Sequence, residues 1–212
     1  MLTERKQKDR QTRRQGIQRA ARHVFAERGF AKASIEQIAK ESALSVGAIY
    51  LYFRSKEDLY ASLLEDTLRL LGDELERARA GADLRDRLRA TWDVLLAWSV
   101  VDGEGTRALR LLAQPAARQQ LSAEVAAAIG GGLDRVRNAI ASCVSDGVDA
   151  GIYRPVVAAE ISDVLWATFI GSLDTAEIRA NLELSTVNIA RAALSLVEGS
   201  LRGDGAGVRA AA

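Results

Sequence analysis

The sequence predicts an all-α protein in two parts: an N-terminal three-helix domain and a C-terminal helical bundle. Three observations predict it. Ala, Leu, Arg and Glu are abundant while proline occurs only as Pro115 and Pro155, a balance that favours helices. No run of alternating Val, Ile or Thr bounded by turn residues marks a strand. Charge divides the chain, with 13 Lys+Arg against 7 Asp+Glu in residues 1–60 and 16 against 21 in residues 61–212. A basic N-terminal part on an acidic body is the electrostatic footprint of a nucleic-acid reader with a second job.

Composition also narrows the chemistry. A single cysteine, Cys143, makes no internal disulfide and no cysteine-based metal cluster. A single histidine, His23, leaves no metal-binding histidine pair and no Ser-His-Asp triad elsewhere. No Gly-rich phosphate loop is found, and carboxylate pairs such as Asp73 and Glu76 read as helix surface. No catalytic residue, metal or cofactor is therefore expected, and the chain is not read as an enzyme. The start, MLTERKQKDR, is too charged for a signal peptide. Apolar runs such as Val94 to Val101 are too short to span a bilayer, so a cytoplasmic protein with no membrane partner is expected.

Residues 1–11 are polar and without period and are expected to be disordered. Arg5, Lys6, Lys8, Arg10, Arg13 and Arg14 make a basic arm suited to phosphate or the minor groove. The first helix is expected from Thr12 to Arg28, because Ile17, Ala20, Ala21, Val24 and Phe25 form one apolar stripe. Gly29 stops it, and Phe30 turns inward. His23, beside the stripe, reads as structural or solvated. Ser34 and Gln37 form a capping box for a short helix that buries Ile35, Ile38 and Ala39. Ala43-Leu44 ends that helix. Ser45 caps a second, Val46 to Phe53, with Ile49 and Phe53 inward. Ser55 caps a third, which the pattern carries on to about Ala80.

Two short helices joined by about three residues make a helix-turn-helix at 34–53. The second has an outer face of Ser45, Gly47, Ala48, Tyr50 and Tyr52, with Lys56 just beyond. Gly47 lets a backbone approach, and tyrosine hydroxyls and helix-cap amides suit phosphate oxygens.

The run S-x-G-A-I-Y-x-Y-F-R-S-K-E-D-L resembles the DNA-binding domain of the TetR family of transcriptional regulators, over roughly residues 12–65. The resemblance implies a domain at 12–71 that binds double-stranded DNA. Ser34 is then expected to meet a phosphate. Ser45, Val46, Gly47 and Ala48 are expected to face the major groove, and Tyr50, Tyr52 and Lys56 to hold the backbone. The sequence departs from the family's commonest pattern at Ala43, usually glycine, and at Val46 and Ala48, often polar. Apolar Val46 and Ala48 can touch thymine methyls but cannot donate to guanine. Phosphate contact and DNA shape then carry more of the binding.

Residues 72–202 are expected to form a ligand-binding and dimerisation domain, with 203–212 a disordered tail. Gly81 ends the long third helix. The next, Asp83 to about Val101, carries Leu84, Leu88, Thr91, Trp92, Leu95 and Trp98 on one side. The turn Asp102–Gly105 precedes a helix from Thr106 to Ala113. From Ser122 to Tyr153 the apolar phase of Val125, Ile129, Leu133, Val136, Ile140 and Val144 does not reset across Gly130-Gly131-Gly132. One helix with a weak point is expected there, serving either close packing or a hinge.

The helix from Ala158 to about Ala176 is apolar almost all round, which calls for burial on every side and hence a partner subunit. Ile161, Leu165, Trp166, Phe169 and Leu173, with Val187, Ala190, Leu194 and Val197 of a last helix (Leu184 to about Leu201), are the expected dimer contacts. Two such helices from each chain make a two-fold four-helix bundle. A homodimer presents two reading helices to a palindromic operator.

The resemblance further implies that a small-molecule effector, apolar or amphipathic, enters the C-terminal helices and releases a repressor from DNA. Trp92, Leu95, Trp98, Leu111, Trp166 and Phe169 are candidate walls, with Arg110 to orient a polar group. Plain core packing is the competing account of each. Regulation without a ligand, through a protein partner, and activation rather than repression stay open.

Overall fold

In the computed structural model, which describes residues 2–178 and 186–203, every regular element is a helix. They are α1 (Leu2–Lys32), α2 (Ile35–Glu41), α3 (Val46–Tyr50), α4 (Lys56–Ser62), α5 (Leu64–Gly81), α6 (Arg87–Val101), α7 (Gly103–Ala113), α8 (Pro115–Gln119), α9 (Ala123–Asp149), α10 (Ala158–Ile178) and α11 (Thr186–Arg202). Two compact units divide them: Met1–Thr67 with Arg107–Gly130, and Leu68–Thr106 with Gly131–Ala212. The first unit thus takes in 107–130, which the sequence assigns to the second domain.

In the first unit the apolar stripe of α1 meets the inward residues of α2 to α4. Ile17, Ala21, Ile38, Ile49 and Leu59 are completely buried. Phe25 and Phe30 close on Tyr60, at 4.8 and 4.9 Å between ring centroids. Gly29 leaves the helix with φ 70° and ψ 162°, a conformation that glycine adopts without steric cost, and this folds Phe30 back onto Phe25. Residues 2–11, expected to be disordered, instead continue α1 toward its N-terminus. The tail from residue 204 onward lies outside the described residues.

The three caps form as the sequence indicates. Ser34 Oγ accepts from Gln37 N at 3.3 Å while Gln37 Oε1 accepts from Ser34 N at 3.0 Å. Ser45 Oγ accepts from Ala48 N, and Ser55 Oγ from Asp58 N. The end of α2 is a Schellman closure, with Leu44 N donating to Ala39 O at 2.9 Å and Ala43 in the left-handed region at φ 54°. An alanine there bears the clash that glycine avoids. Ala43→Gly is expected to raise stability by about 0.5–1 kcal/mol, read as a higher urea midpoint at unchanged slope.

The long third helix is in fact two, broken at Leu63. The cause is tertiary. Gln18 donates to Ser62 O at 3.0 Å and Arg22 to Leu63 O at 2.8 Å, so two side chains of α1 take carbonyls at the end of α4. Leu63 N turns to Tyr60 O instead. The short α8, which begins at Pro115, is not marked by any apolar period; proline at a first helical position supplies a φ already suited to a helix.

In the second unit Trp92, Leu95, Val136, Ile140, Leu165 and Phe169 are buried. α9 runs unbroken through its three glycines. A β-carbon on Gly132 would lie 2.8 Å from that of Leu68, whereas Gly130 and Gly131 face open space. Close packing therefore explains Gly132 alone. Glu198, almost fully buried, accepts from Arg89 at 2.6 Å and lies 3.5 Å from Arg202. Buried Cys143 touches Thr91 Oγ1 at 3.3 Å. Burial pushes its thiol up to about 11, against the smaller opposing effect of the Thr91 contact. Since the thiolate is the nucleophile, native protein at pH 8 is expected to react with a thiol reagent at least about 100-fold more slowly than the unfolded chain. Equal rates would show that the site opens freely.

Candidate nucleic-acid interface

α3 is a five-residue helix whose turn is prolonged by Tyr52 N and Phe53 N, both donating to Ile49 O. Ile49 and Phe53 anchor it in the core at 0% and 1% exposure, so its opposite face looks outward. Ser45, Gly47, Tyr50 and Leu51 are exposed, and Val46, Ala48 and Tyr52 are half-buried. Ser34 is half-buried at the mouth of α2. Its hydroxyl also hydrogen-bonds Glu36, holding that exposed carboxyl below its ordinary value.

The structure brings the residues from Ser45 to Tyr52 onto one short element, with Ser34 at the cap of the helix before it. Two basic residues have other work. Lys56 Nζ donates to Phe30 O at 2.9 Å and Ala33 O at 3.1 Å, and sits 4.4 Å from the Phe30 ring centroid. Two of its three donors thus tie the start of α4 to the end of α1, leaving one for a phosphate. Arg14, assigned to the basic arm, is buried. Its guanidinium grips Glu65 at 2.8 and 2.6 Å and lies over the Phe53 ring at 5.1 Å. Burial opposes its charge, but Glu65 outweighs that and holds Arg14 above its ordinary value. Arg10, by contrast, is exposed and approaches the ring of Tyr52, just beyond the end of α3, at 6.0 Å. His23 is exposed between Glu27 and Glu41.

Two residues were missed. Leu51 is 76% exposed, beside Tyr50 at 51%; its place in the sequence gives no sign that it faces out rather than in. Asp58 is completely buried. Its Oδ2 accepts from Arg54 N at 2.8 Å, and its Oδ1 from Ser122 N and Oγ at 2.8 and 2.9 Å. The spacing Ser55-x-x-Asp58 hints at a cap, but the partner lies 64 residues away.

The other expected sites sit differently. Trp92, Leu95, Trp98, Trp166 and Phe169 belong to the second unit, and Arg110 and Leu111 to the first. Phe169 meets Trp92, Trp98 and Trp166 at centroid separations of 6.1, 6.5 and 5.6 Å. Trp92 Nε1 donates to Ala190 O at 3.1 Å, whereas Trp98 Nε1 is buried without an acceptor. Of the expected dimer contacts, Leu165, Phe169, Leu173, Ala190 and Leu194 are buried within the chain itself. Ile161, Trp166, Val187 and Val197 are half-buried. The first five fill their own unit's core, and the other four keep part of their surface outside. Left outside are two large apolar residues, Val164 at 54% and Leu196 at 77% exposure, with Ala167 and Ala192 and the charged Glu160, Asp163 and Arg191. α10 is therefore not buried on every side within one chain.

Among the described residues no group of His, Cys, Asp and Glu is placed to hold a metal ion, and no helix is long and apolar enough to cross a membrane. Residues 17–63 match the family described as "Bacterial regulatory proteins, tetR family". The chain is 36% identical over 97 residues to the HTH-type transcriptional regulator BetI of Stenotrophomonas maltophilia, covering 45% of this chain and 50% of that protein. It is 35% identical over 71 residues to the fatty acid metabolism regulator protein of Bacillus subtilis, covering 34% of each. The match thus spans half or less of these curated relatives, which are regulators rather than enzymes. Among solved structures, Thermus thermophilus FadR, a TetR-family repressor in complex with lauroyl-CoA, superposes with a TM-score of 0.69 at 19% identity, over 93% of this chain and 97% of that one. That likeness extends the shared fold well beyond the matched segment. Residues 17–63, which hold the helix-turn-helix, thus match the tetR family of bacterial regulatory proteins, and the remaining helices share the fold of the Thermus thermophilus protein.

Proposed function

We propose that this protein is a cytoplasmic, sequence-specific DNA-binding regulator. In this reading it acts as a dimeric repressor on a palindromic operator and is released by a small amphipathic ligand. The observation that carries it is the α2–α3 pair. A capped helix is anchored by Ile49 and Phe53 and presents Gly47, Tyr50 and Leu51 outward, with Arg10 beside Tyr52. Among the described residues, Ser45, Gly47, Tyr50 and Leu51 of that face stay exposed.

One such element covers a single half-site, so a second copy at fixed spacing is required for tight operator binding. The uncovered stripe of Val164, Ala167, Ala192 and Leu196 supports pairing through α10 and α11, since small residues let helices approach closely. Support for a ligand comes from Trp98. A buried indole N–H without an acceptor is costly, and a polar group on an otherwise apolar ligand would satisfy it. The lauroyl-CoA held by the Thermus thermophilus protein has that combination of apolar chain and polar head.

The test is to footprint the protein on the DNA flanking its own coding region and measure affinity against salt. Protection of two half-sites about one helical turn apart is expected. Arg10→Ala is expected to lower the salt slope by about 1 per chain, and Tyr50→Ala to weaken binding to all duplexes. Absence of protection at low ionic strength would refute the reading.

A further inference from the structure

The outward face of α3 has no side chain able to read a base by paired hydrogen bonds. Guanine is read that way by Arg or Lys, and adenine by Asn or Gln. Residues 45–52 are Ser, Val, Gly, Ala, Ile, Tyr, Leu and Tyr. What the face offers is apolar. Leu51 is 76% exposed. At 100° per residue it stands almost opposite the inward pair Ile49 and Phe53, one turn beyond Gly47.

Gly47 adds an independent observation. It is not among the glycines with positive φ, and a β-carbon built on it meets no atom within 4 Å. Neither its own conformation nor its own neighbours require a glycine, although glycine weakens a helix. The lack of a side chain suits a surface that comes up against the helix from outside. Exposed Arg54, two residues beyond Tyr52, and Arg10, 6.0 Å from the Tyr52 ring, place positive charge at the end of α3, which suits a polyanion.

We propose that α3 recognises its operator through the C5-methyl groups of thymine. Leu51 is the principal reading residue, Val46 and Ala48 add smaller contacts, and Gly47 admits the edge of the groove. This rests on the reading that α3 enters the major groove. Thymine alone carries an apolar group on that edge, so specificity can arise without a hydrogen-bonding side chain.

The experiment replaces each thymine of the footprinted operator, one at a time, by deoxyuridine. That keeps every base-pairing group and removes only the methyl. At one or two positions in each half-site, affinity is expected to fall about fourfold, the effect of one buried methyl. Leu51→Ala should bind the unmodified operator several-fold more weakly and should lose its sensitivity to deoxyuridine at those same positions. Its thermal midpoint should be unchanged, because the side chain is exposed. Specific binding that is indifferent to every deoxyuridine would overturn the proposal while leaving the DNA-binding reading intact. No specific binding to any duplex would remove both.

Discussion

Leu196→Asp is expected to give a folded monomer that binds its operator at least about 100-fold more weakly than the parent chain. Leu196 is 77% exposed in the single chain, so a carboxylate there disturbs nothing inside the unit. In a two-fold bundle of α10 and α11 the same carboxylate is buried opposite its own copy or against apolar surface. Burial of an unpaired charge is far more costly than one interface leucine is worth. The loss in affinity follows because two linked half-site contacts become one. Sedimentation velocity, circular dichroism and operator titration read the three parts separately. A variant that remains a dimer would show that pairing lies elsewhere. Leu194→Ala makes the informative contrast, because Leu194 is buried within its own chain. It is expected to cost about 2–5 kcal/mol of stability, mainly through the cavity it leaves.

The second large effect is expected at Asp58. Asp58→Ala should destabilise the protein by about 3–5 kcal/mol, because it strands several buried donors at once. The carboxylate is completely buried and satisfies Arg54 N, Ser122 N and Ser122 Oγ. Ser122 in turn accepts from Val125 N at the start of α9, so one side chain fixes the first turns of both α4 and α9. Asp58→Asn keeps the shape but brings an amide donor, a negative charge lost, to a cluster already rich in donors. It should fall between the two. Chemical denaturation of the three proteins checks the order, and an alanine variant as stable as the parent would refute the role. Ser122→Ala removes one of the three donors and should cost less than Asp58→Ala.

These two residues show where sequence reading stops. Ser34, Ser45 and Ser55 were legible because a cap bonds within three residues of itself, as was Gly29, whose turn is set by its own backbone. The single long helix through Gly130-Gly131-Gly132 was legible because apolar phase is a local property. Leu63 was not legible: the break there depends on Gln18 and Arg22, more than 40 residues away. Lys56 and Arg14 read equally well as hands for phosphate, yet the carbonyls of Phe30 and Ala33 take two of the three Lys56 donors and the carboxylate of Glu65 takes Arg14. In α10 and α11, the apolar pattern identified residues to be buried but not their partners. Leu165, Phe169 and Leu194 turned out to fill their own core, leaving Val164 and Leu196 outside.

The amino-acid order alone thus determined the all-α class, the capped helix-turn-helix at 34–53 and the absence of a strand pattern. Each of these follows from residues close together in the chain. Tertiary structure alone decided which polar groups are committed and which faces are left over, including the exposure of Leu51 and the burial of Asp58. The physical reason is that a hydrogen bond or a packed surface belongs to two partners, and distance along the chain says nothing about which partner folding will supply.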